Sequence, residues 1–309
     1  MRPSSVALFE QLISKPRLNS YRGYFQASQD EATGLYMWNC EVSANFGTLL
    51  AMFEIALRNN AHRAMSQFYS RGTSDTMHWY DRMRLKSGPQ KKLDVLRFQR
   101  GPGGVSIART PAPGPDEIVS RVSFGFWPGA LGSMDARYAS QICPLIFPAH
   151  PLNANPSDWQ IESVRRQALA FLHEINTFRN RLAHHEPLWK FAALLDTSSP
   201  GAPTVIAPES LNLAGSLSRF HRLLSLLDTA IASLNPSFQA DLLQASWRKK
   251  LSYLLSDRGV QRYRALKHCA HPRPLTPAQF RKEFGLVMKN NQAIQVRRAG
   301  IVGLFTPHI

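Results

Sequence analysis

Cysteine is scarce in this chain and follows no metal-binding or disulfide pattern. The 309 residues include 3 cysteines, and Cys40, Cys143 and Cys269 stand far apart in the sequence. This spacing matches no zinc motif built on paired cysteines, and three isolated residues make no disulfide framework. Such sparse use of cysteine is typical of proteins in a reducing compartment, so the sequence predicts a cytoplasmic protein.

Long apolar runs are also missing. No stretch approaches the roughly 18 consecutive apolar residues that suggest a membrane span. The first residues, Met1-Arg2-Pro3-Ser4-Ser5-Val6, lack the apolar block and the small-residue cleavage site of a secretory signal. We therefore expect no membrane-spanning segment and no membrane partner.

Acidic residues are few relative to basic ones. The chain has 37 Lys and Arg residues against 21 Asp and Glu residues, which gives a formal net charge of +16 at pH 7. A surface of this charge attracts polyanions, which favours a nucleic acid over a small acidic metabolite as partner. Two alternatives stay open at this point: a basic surface without a ligand, and attraction to an anionic membrane surface.

Several well-known catalytic motifs are absent from the sequence. It has no Gly-rich phosphate loop followed by lysine, no G-x-S-x-G and no H-E-x-x-H. His173-Glu174 starts like the zinc motif, but Ile175-Asn176-Thr177 follows and the second histidine is missing. His184-His185-Glu186 could contribute to a metal site, but no partner helix shows matching spacing. We therefore expect no metal and no cofactor, and a metal-dependent hydrolase is the least favoured function.

Apolar residues at helical spacing predict three long amphipathic helices. The first covers about 36–69. The second begins near Ser157, where Ser157-Asp158-Trp159-Gln160 matches a capping box, and Pro187 should end it. The third covers about 211–234 and ends at Asn235-Pro236. Gly- and Pro-rich connectors at 101–104, 110–115 and 198–203 separate these segments. The pattern predicts an all-α bundle with irregular insertions.

The composition becomes strongly basic after residue 235. We interpret 236–309 as a basic helical C-terminal extension that packs on a domain formed by 1–235. Thr276-Pro277-Ala278-Gln279 combines an N-cap, a first-turn proline and a capping-box glutamine, so it predicts a helix start. Basic residues of this extension are weaker candidates for RNA contact, with a solvated charged face as the alternative: Arg248, Lys249, Lys250, Arg262, Arg264 and Lys267.

The end of the second predicted helix carries the most informative residues. Arg179 offers a fixed positive charge and a fork of donors that fits phosphate, and His184 or His185 can move a proton near neutral pH. Asn180 can orient a histidine or hold a phosphate oxygen. These groups suffice to cleave a phosphodiester without a metal. The alternative is that two adjacent histidines cap free carbonyls at a helix end.

Helix geometry limits how these side chains can meet. Asn180 and His184 are spaced i, i+4 and share a face. Arg179 and His184 diverge by about 140° on an ideal helix, so they converge only if the helix unwinds before Pro187.

An upstream segment adds a second group of candidates. Arg58 could contact another phosphate, and Glu54 could orient an arginine or histidine of the other helix. The alternative is a simple intrahelical ion pair, because the two are spaced i, i+4. His62 is a weaker candidate, and Arg165 and Arg166 fit a solvated face.

These residues resemble a known family. Arg179-Asn180, three further residues and His184 match the R-x4-6-H motif of HEPN nucleases. Together with four other segments, the motif resembles the Abi-like (abortive infection) family across roughly 8–235. The segments are 13–21 (ISKPRLNSY), 35–39 (LYMWN), 53–59 (FEIALRN), 124–127 (FGFW) and 179–187 (RNRLAHHEP).

The resemblance implies a HEPN-like helical bundle, often a homodimer whose sites form across the interface. It also implies metal-independent RNA cleavage by attack of the ribose 2′-hydroxyl, in phage defence or as a toxin restrained by a protein or RNA antitoxin. Arg179, Asn180 and His184 are the motif positions, and Glu54 and Arg58 match the upstream pair. Some HEPN proteins bind RNA without cutting it. A non-catalytic protein that forms a complex with a structured RNA is therefore the alternative function.

Overall fold

The computed structural model describes residues 6–196, 204–269 and 273–307. The predicted connector at 198–203 therefore lies outside the described residues. Helices dominate the described ranges, as the all-α prediction requires. They are α1 Val6–Ile13, α2 Lys15–Phe25, α3 Gln29–Tyr69, α4 Ser87–Arg97, α5 Pro115–Arg121, α6 Phe126–Leu131, α7 Ala136–Ile146, α8 Glu162–Ala183, α9 Leu213–Leu234, α10 Pro236–Gln244, α11 Ser246–Leu254, α12 Asp257–Arg264 and α13 Pro277–Asn290.

Short antiparallel hairpins connect some of the helices. They pair β1 Phe98–Arg100 with β2 Ser106–Ala108, β3 Leu194–Asp196 with β4 Thr204–Ala207, and β5 Ile294–Arg298 with β6 Ile301–Phe305. The last hairpin adds two short strands to the C-terminal extension, which also contains α10, α11, α12 and α13. Its turn residues Ala299 and Gly300 have φ values of 47° and 82°, as a two-residue hairpin turn of the primed type requires.

The first long helix, α3, begins well before the predicted start near residue 36. Ser28 and Glu31 cap it reciprocally: the Ser28 N–H donates to Glu31 Oε2 at 2.7 Å, and the Glu31 N–H donates to Ser28 Oγ at 3.3 Å. This capping box satisfies two backbone donors that have no partner inside the helix. It therefore extends the helix toward the N-terminus.

By length and composition alone, α3 could cross a membrane. The expectation that no segment spans a membrane stays a prediction. The helix has 41 residues, and its residues Trp38, Phe46 and Phe53 are fully buried within the protein. Because the core helix of a soluble protein passes the same test, the finding is weak evidence for a membrane span.

The predicted capping box at Ser157 is wrong. Residues 156–160 form a 3₁₀ turn, and α8 begins after it, at Glu162. The Ser157 hydroxyl donates to Asn155 Oδ1 at 2.8 Å, and Gln160 Nε2 donates to Ser140 Oγ at 2.8 Å. Since both polar side chains have other partners, neither caps the long helix.

The predicted position of the third helix agrees closely with α9, and the predicted helix start at Thr276 is confirmed. In the first turn of α9, the Gly215 N–H donates to Asn212 Oδ1 at 2.9 Å. At α13, the Thr276 hydroxyl accepts from the Gln279 N–H at 3.3 Å, and Gln279 Oε1 accepts from the Thr276 N–H at 2.9 Å. The complete capping box is therefore present.

The chain divides into two compact units made of non-contiguous segments. Unit 1 contains 1–48, 185–222 and 242–309, and unit 2 contains 49–184 and 223–241. This division differs from the predicted boundary at residue 235, because 242–309 belong to the same unit as the N-terminal helices.

Unit 1 has an aromatic core. Trp189 lies against Tyr21 and Phe25, with ring centroids 5.1 Å apart in each pair. Trp38 is fully buried, and its Nε1 donates to the Leu254 carbonyl at 2.8 Å. The buried Asn39 accepts the Leu188 N–H at 2.9 Å. These contacts join the three segments of the unit.

Unit 2 packs α3 against α8 through aromatic side chains. Phe53 of α3 lies 6.4 Å from Phe171 of α8 and 6.0 Å from Phe124, measured between ring centroids. Trp159 and Phe147 stack with centroids 6.3 Å apart. Because Phe53 and Phe171 hold the two helices together, polar residues near them on each helix can share one site.

Candidate functional site

Two helices of unit 2 place three charged side chains close together. Glu54 and Arg58 are one turn apart on α3, and Arg179 lies in the last part of α8. All three are half-buried. Their helix neighbours explain the placement: Phe53, Leu57 and Phe178 point into the core, so the adjacent polar residues lie at its edge.

Both arginines act electrostatically on the carboxyl of Glu54. Burial raises its pKa above the ordinary value, and the positive charges of Arg179 and then Arg58 act in the opposite direction. Desolvation favours the neutral acid, whereas a nearby cation favours the carboxylate. The structure thus brings Arg179 of one helix within electrostatic range of the Glu54–Arg58 pair of the other.

The expected ion pair between Glu54 and Arg58 is not formed. Arg58 Nη1 instead donates to the Ser120 carbonyl at 3.2 Å. Arg179 makes no hydrogen bond and no ion pair with any described residue. The N–H donors of its guanidinium are therefore available to a ligand, and Glu54 supplies a nearby negative charge.

The helix that carries Arg179 ends at the histidines. His184 is the C-cap of α8, with φ −88° and ψ 7°, and its N–H donates to the Asn180 carbonyl at 3.0 Å. The side chains of Asn180 and His184 are exposed. Neither ring nor amide is hydrogen-bonded to a described residue, so the alternative in which the His184 ring caps a free carbonyl is not observed.

His185 follows the C-cap of α8 in a left-handed backbone conformation. It has a positive φ of 54°, its side chain is exposed, and its carbonyl accepts from Arg17 Nη1 at 3.2 Å. The helix thus ends before Pro187, because the left-handed residue at 185 cannot continue it. Within the described residues, no direct contact joins the Arg179 guanidinium to the His184 ring.

His62 has a structural role. Its Nδ1 accepts from Trp79 Nε1 at 2.9 Å, so the proton resides on Nε2, which lies 3.2 Å from Asp116 Oδ1 and 3.1 Å from Thr76 Oγ1. Burial lowers its pKa despite the nearby Asp116 carboxylate. Both ring nitrogens are engaged, which leaves none for a substrate.

Arg165 also departs from its prediction as a surface residue. It is buried, and its Nη1 donates to the Trp159 carbonyl at 2.7 Å. Arg166 does lie on a solvated face, where it pairs with Glu162 at 2.8 Å.

The basic residues proposed for RNA contact in the C-terminal segment fall into three groups. Arg248 and Arg262 are buried, and they donate to Ser252 Oγ and to the Pro307 carbonyl. Burial therefore corrects their assignment as surface contacts. Lys250 pairs with Glu41 at 2.6 Å and Arg264 pairs with Glu31 at 2.9 Å. Lys249 and Lys267 are exposed and remain available for a polyanion.

Sequence reasoning did not single out a further polar group beside the candidate site. Lys92 of α4 and Asn176 of α8 both border Gly125. The one signal in the sequence is the spacing of Asn176, which is one helical turn from Arg179 and Asn180.

No cluster of three or more His, Cys, Asp or Glu side chains suited to a metal ion occurs in the described parts of the chain. No protein-family model, curated protein or solved structure matches this chain.

Proposed function

We propose that the protein is a metal-independent endoribonuclease of the HEPN type. One observation supports the proposal most directly: Arg179 and Arg58 influence a single half-buried carboxyl, Glu54, and Arg179 forms no hydrogen bond with the described residues. A positive group with unused donors at the edge of a core is suited to an anionic oxygen.

In the proposed reaction, Arg179 binds the non-bridging oxygens of the scissile phosphate. The 2′-hydroxyl of the ribose releases its proton to water as its oxygen attacks phosphorus, so the new 2′-O–P bond forms and the bond to the 5′-oxygen breaks. The products are a 2′,3′-cyclic phosphate and a 5′-hydroxyl. Negative charge on the phosphate oxygens increases in the transition state, where the fixed guanidinium charge stabilises it.

His184 moves the proton that this reaction requires. Its ring donates a proton to the leaving 5′-oxygen. Asn180 precedes it by four residues and can orient the ring. Glu54 keeps the Arg179 guanidinium in place through charge attraction, and Arg58 is anchored by the Ser120 carbonyl.

The active form in this proposal is a homodimer. Arg179 and His184 make no direct contact within the described residues of one chain, and a second copy can bring His184 of one protomer to Arg179 of its partner. The resemblance to the Abi-like family supports a role in phage defence by abortive infection, or as a toxin restrained by an antitoxin. An RNA substrate and a regulatory RNA or protein antitoxin are the proposed partners.

A non-catalytic RNA-binding protein is the second candidate. The separation of Arg179 from His184 and the exposed Lys249 and Lys267 favour this function. Such a protein would form a complex with a structured RNA and leave it intact.

A cleavage assay with end-labelled RNA in the presence of a chelator tests the proposal. We expect wild type to produce fragments with cyclic phosphate ends, and Arg179→Ala to reduce the rate by about 10²-fold or more. His184→Ala should reduce the rate by about 10²–10⁴-fold. The rate of His185→Ala, measured in the same way, shows which of the two adjacent histidines moves the proton. His173→Ala is the matched control, because His173 is an exposed histidine of the same helix.

Each other outcome leads to a different conclusion. Salt-sensitive binding without products would favour the RNA-binding protein. Cleavage only after addition of a divalent metal would favour a metal-dependent hydrolase and refute the proposed mechanism.

A further inference from the structure

Lys92 is an unusual lysine in unit 2. It lies on α4 and is half-buried, and burial lowers its pKa below the ordinary value. It forms no ion pair and no hydrogen bond with any residue that the structure describes. Keeping a charged ammonium partly out of water without a partner costs free energy, so its position calls for an explanation outside the fold.

The Lys92 ammonium and the Asn176 amide converge at Gly125. A Cβ atom added to Gly125 would lie 2.8 Å from Lys92 Nζ and 3.2 Å from Asn176 Oδ1. The two polar groups therefore stand on the side of residue 125 where any other residue would carry its Cβ atom. An alanine at this position would push the lysine or the amide aside.

Helix geometry connects these two groups to the proposed catalytic residues. Asn176, Arg179 and Asn180 are spaced i, i+3 and i+4 on the regular helix α8, so they share one face, with neighbouring Cβ atoms about 5–6 Å apart. Lys92 meets this row at Asn176, and Arg179 lies one helical turn further along it.

We propose that Lys92 and Asn176, which converge beside Gly125, form a phosphate subsite that binds the RNA backbone next to the phosphate held by Arg179. This inference rests on the proposed function, since it needs RNA at Arg179. In the subsite, the Lys92 ammonium neutralises a phosphate as a point charge and the Asn176 amide donates a hydrogen bond to it. The bound phosphate supplies the charge partner that the folded chain does not provide.

A binding experiment with a fluorescein-labelled 2′-O-methyl RNA oligonucleotide tests the subsite. This probe lacks the attacking hydroxyl, so it binds without being cut. For Lys92→Met we expect weaker binding and a slope of log K against log salt that is smaller by about one unit. Lys92→Arg should restore the slope. Lys91→Met is the matched control, because Lys91 is the exposed neighbour on the same helix and should leave the slope close to that of wild type.

A melting experiment separates a binding role from a structural one. Lys92→Met removes a desolvated charge without a protein partner, so the melting temperature of the free protein should stay the same or rise. A lower melting temperature together with an unchanged salt slope would overturn the subsite and make Lys92 a packing residue.

Parallel cleavage of unmodified RNA distinguishes failure of the subsite from failure of the proposed function. Cleavage by wild type with an unchanged slope in Lys92→Met refutes the subsite alone. A smaller slope without cleavage refutes the nuclease and keeps the subsite. If wild type binds no RNA, both are refuted.

Discussion

The electrostatic attraction between Arg179 and Glu54 can be tested by a double substitution. Arg179→Ala removes the cation that most favours the ionised form of Glu54. The Glu54 carboxylate is then still half-buried, which costs free energy, but it has lost the larger of the two positive charges that offset this cost. We expect Arg179→Ala to unfold more easily at neutral pH, and Arg179→Ala/Glu54→Gln to recover stability, because the neutral amide needs no counter-charge.

The expected loss of folding stability follows from how far Glu54 and Arg179 are buried. Exposed ion pairs contribute about 0.2–1 kcal/mol, and removal of one partner from a fully buried pair costs about 3–5 kcal/mol. Because Glu54 and Arg179 are half-buried, we expect a loss of roughly 1–2 kcal/mol for Arg179→Ala. In a chain of this size, that corresponds to a decrease of about 2–6 °C in melting temperature.

The pH dependence has a definite sign. Burial raises the folded-state pKa of Glu54, so the stability that it contributes is fully present below its unfolded pKa and is lost as pH rises through the folded pKa. Without Arg179 this folded pKa rises further. The difference in melting temperature between Arg179→Ala and Arg179→Ala/Glu54→Gln should therefore be largest at neutral pH and disappear as the solution becomes acidic enough to protonate Glu54.

Differential scanning calorimetry between pH 4 and pH 8 measures this difference, and the RNA assay is run on the same samples. We expect the double variant to be stable and inactive, since stability returns without the guanidinium that is proposed to bind the scissile phosphate. If the difference in melting temperature between the two variants does not change with pH, Arg179 stabilises the fold by packing alone. Recovery of cleavage in the double variant would refute the role of Arg179 at the phosphate.

Three further predictions concern other parts of the chain. His62→Asn should make the stability of the fold less dependent on pH between neutral and mildly acidic solution. Burial lowers the folded-state pKa of His62, so the stability that His62 contributes is present above its ordinary pKa and is lost as pH falls through the folded-state pKa. Chemical denaturation at each pH measures this stability. Ser28→Ala should cost about 1 kcal/mol through loss of the α3 capping box, measured by urea unfolding against Ser43→Ala. The double variant Lys249→Ala/Lys267→Ala should reduce the salt slope of RNA binding by about two units; an unchanged slope would show that these exposed lysines do not contact RNA.

Several helices could be predicted from the sequence because the signals are local. The α9 apolar spacing and the Thr276–Gln279 capping box act within one or two turns, and both appear in the structure. The apparent capping box at Ser157 failed because Asn155 and Ser140 compete for the same polar side chains. A sequence pattern does not show which of two equally suitable partners is closer in space.

The fate of charged side chains was harder to predict. Arg165, Arg248 and Arg262 are buried, and Arg262 donates to the carbonyl of Pro307, which is 45 residues away in the sequence. Their burial depends on tertiary packing, which composition does not encode. The proximity of Glu54 to Arg179 followed a family resemblance, whereas Lys92 went unnoticed because a half-buried lysine and a surface lysine look the same in a sequence.

The left-handed backbone at His185 means that two adjacent histidines are subject to different constraints. Residue 184 has φ −88°, which every L-amino acid can adopt, so a mutational library that rejects substitutions there would indicate a chemical demand on the ring. Residue 185 has φ 54°, which glycine and asparagine adopt readily and β-branched residues do not. A library tolerant of glycine and asparagine at 185, and depleted of valine and isoleucine, would report backbone conformation. Two neighbouring codons for the same amino acid would thus record different physical constraints.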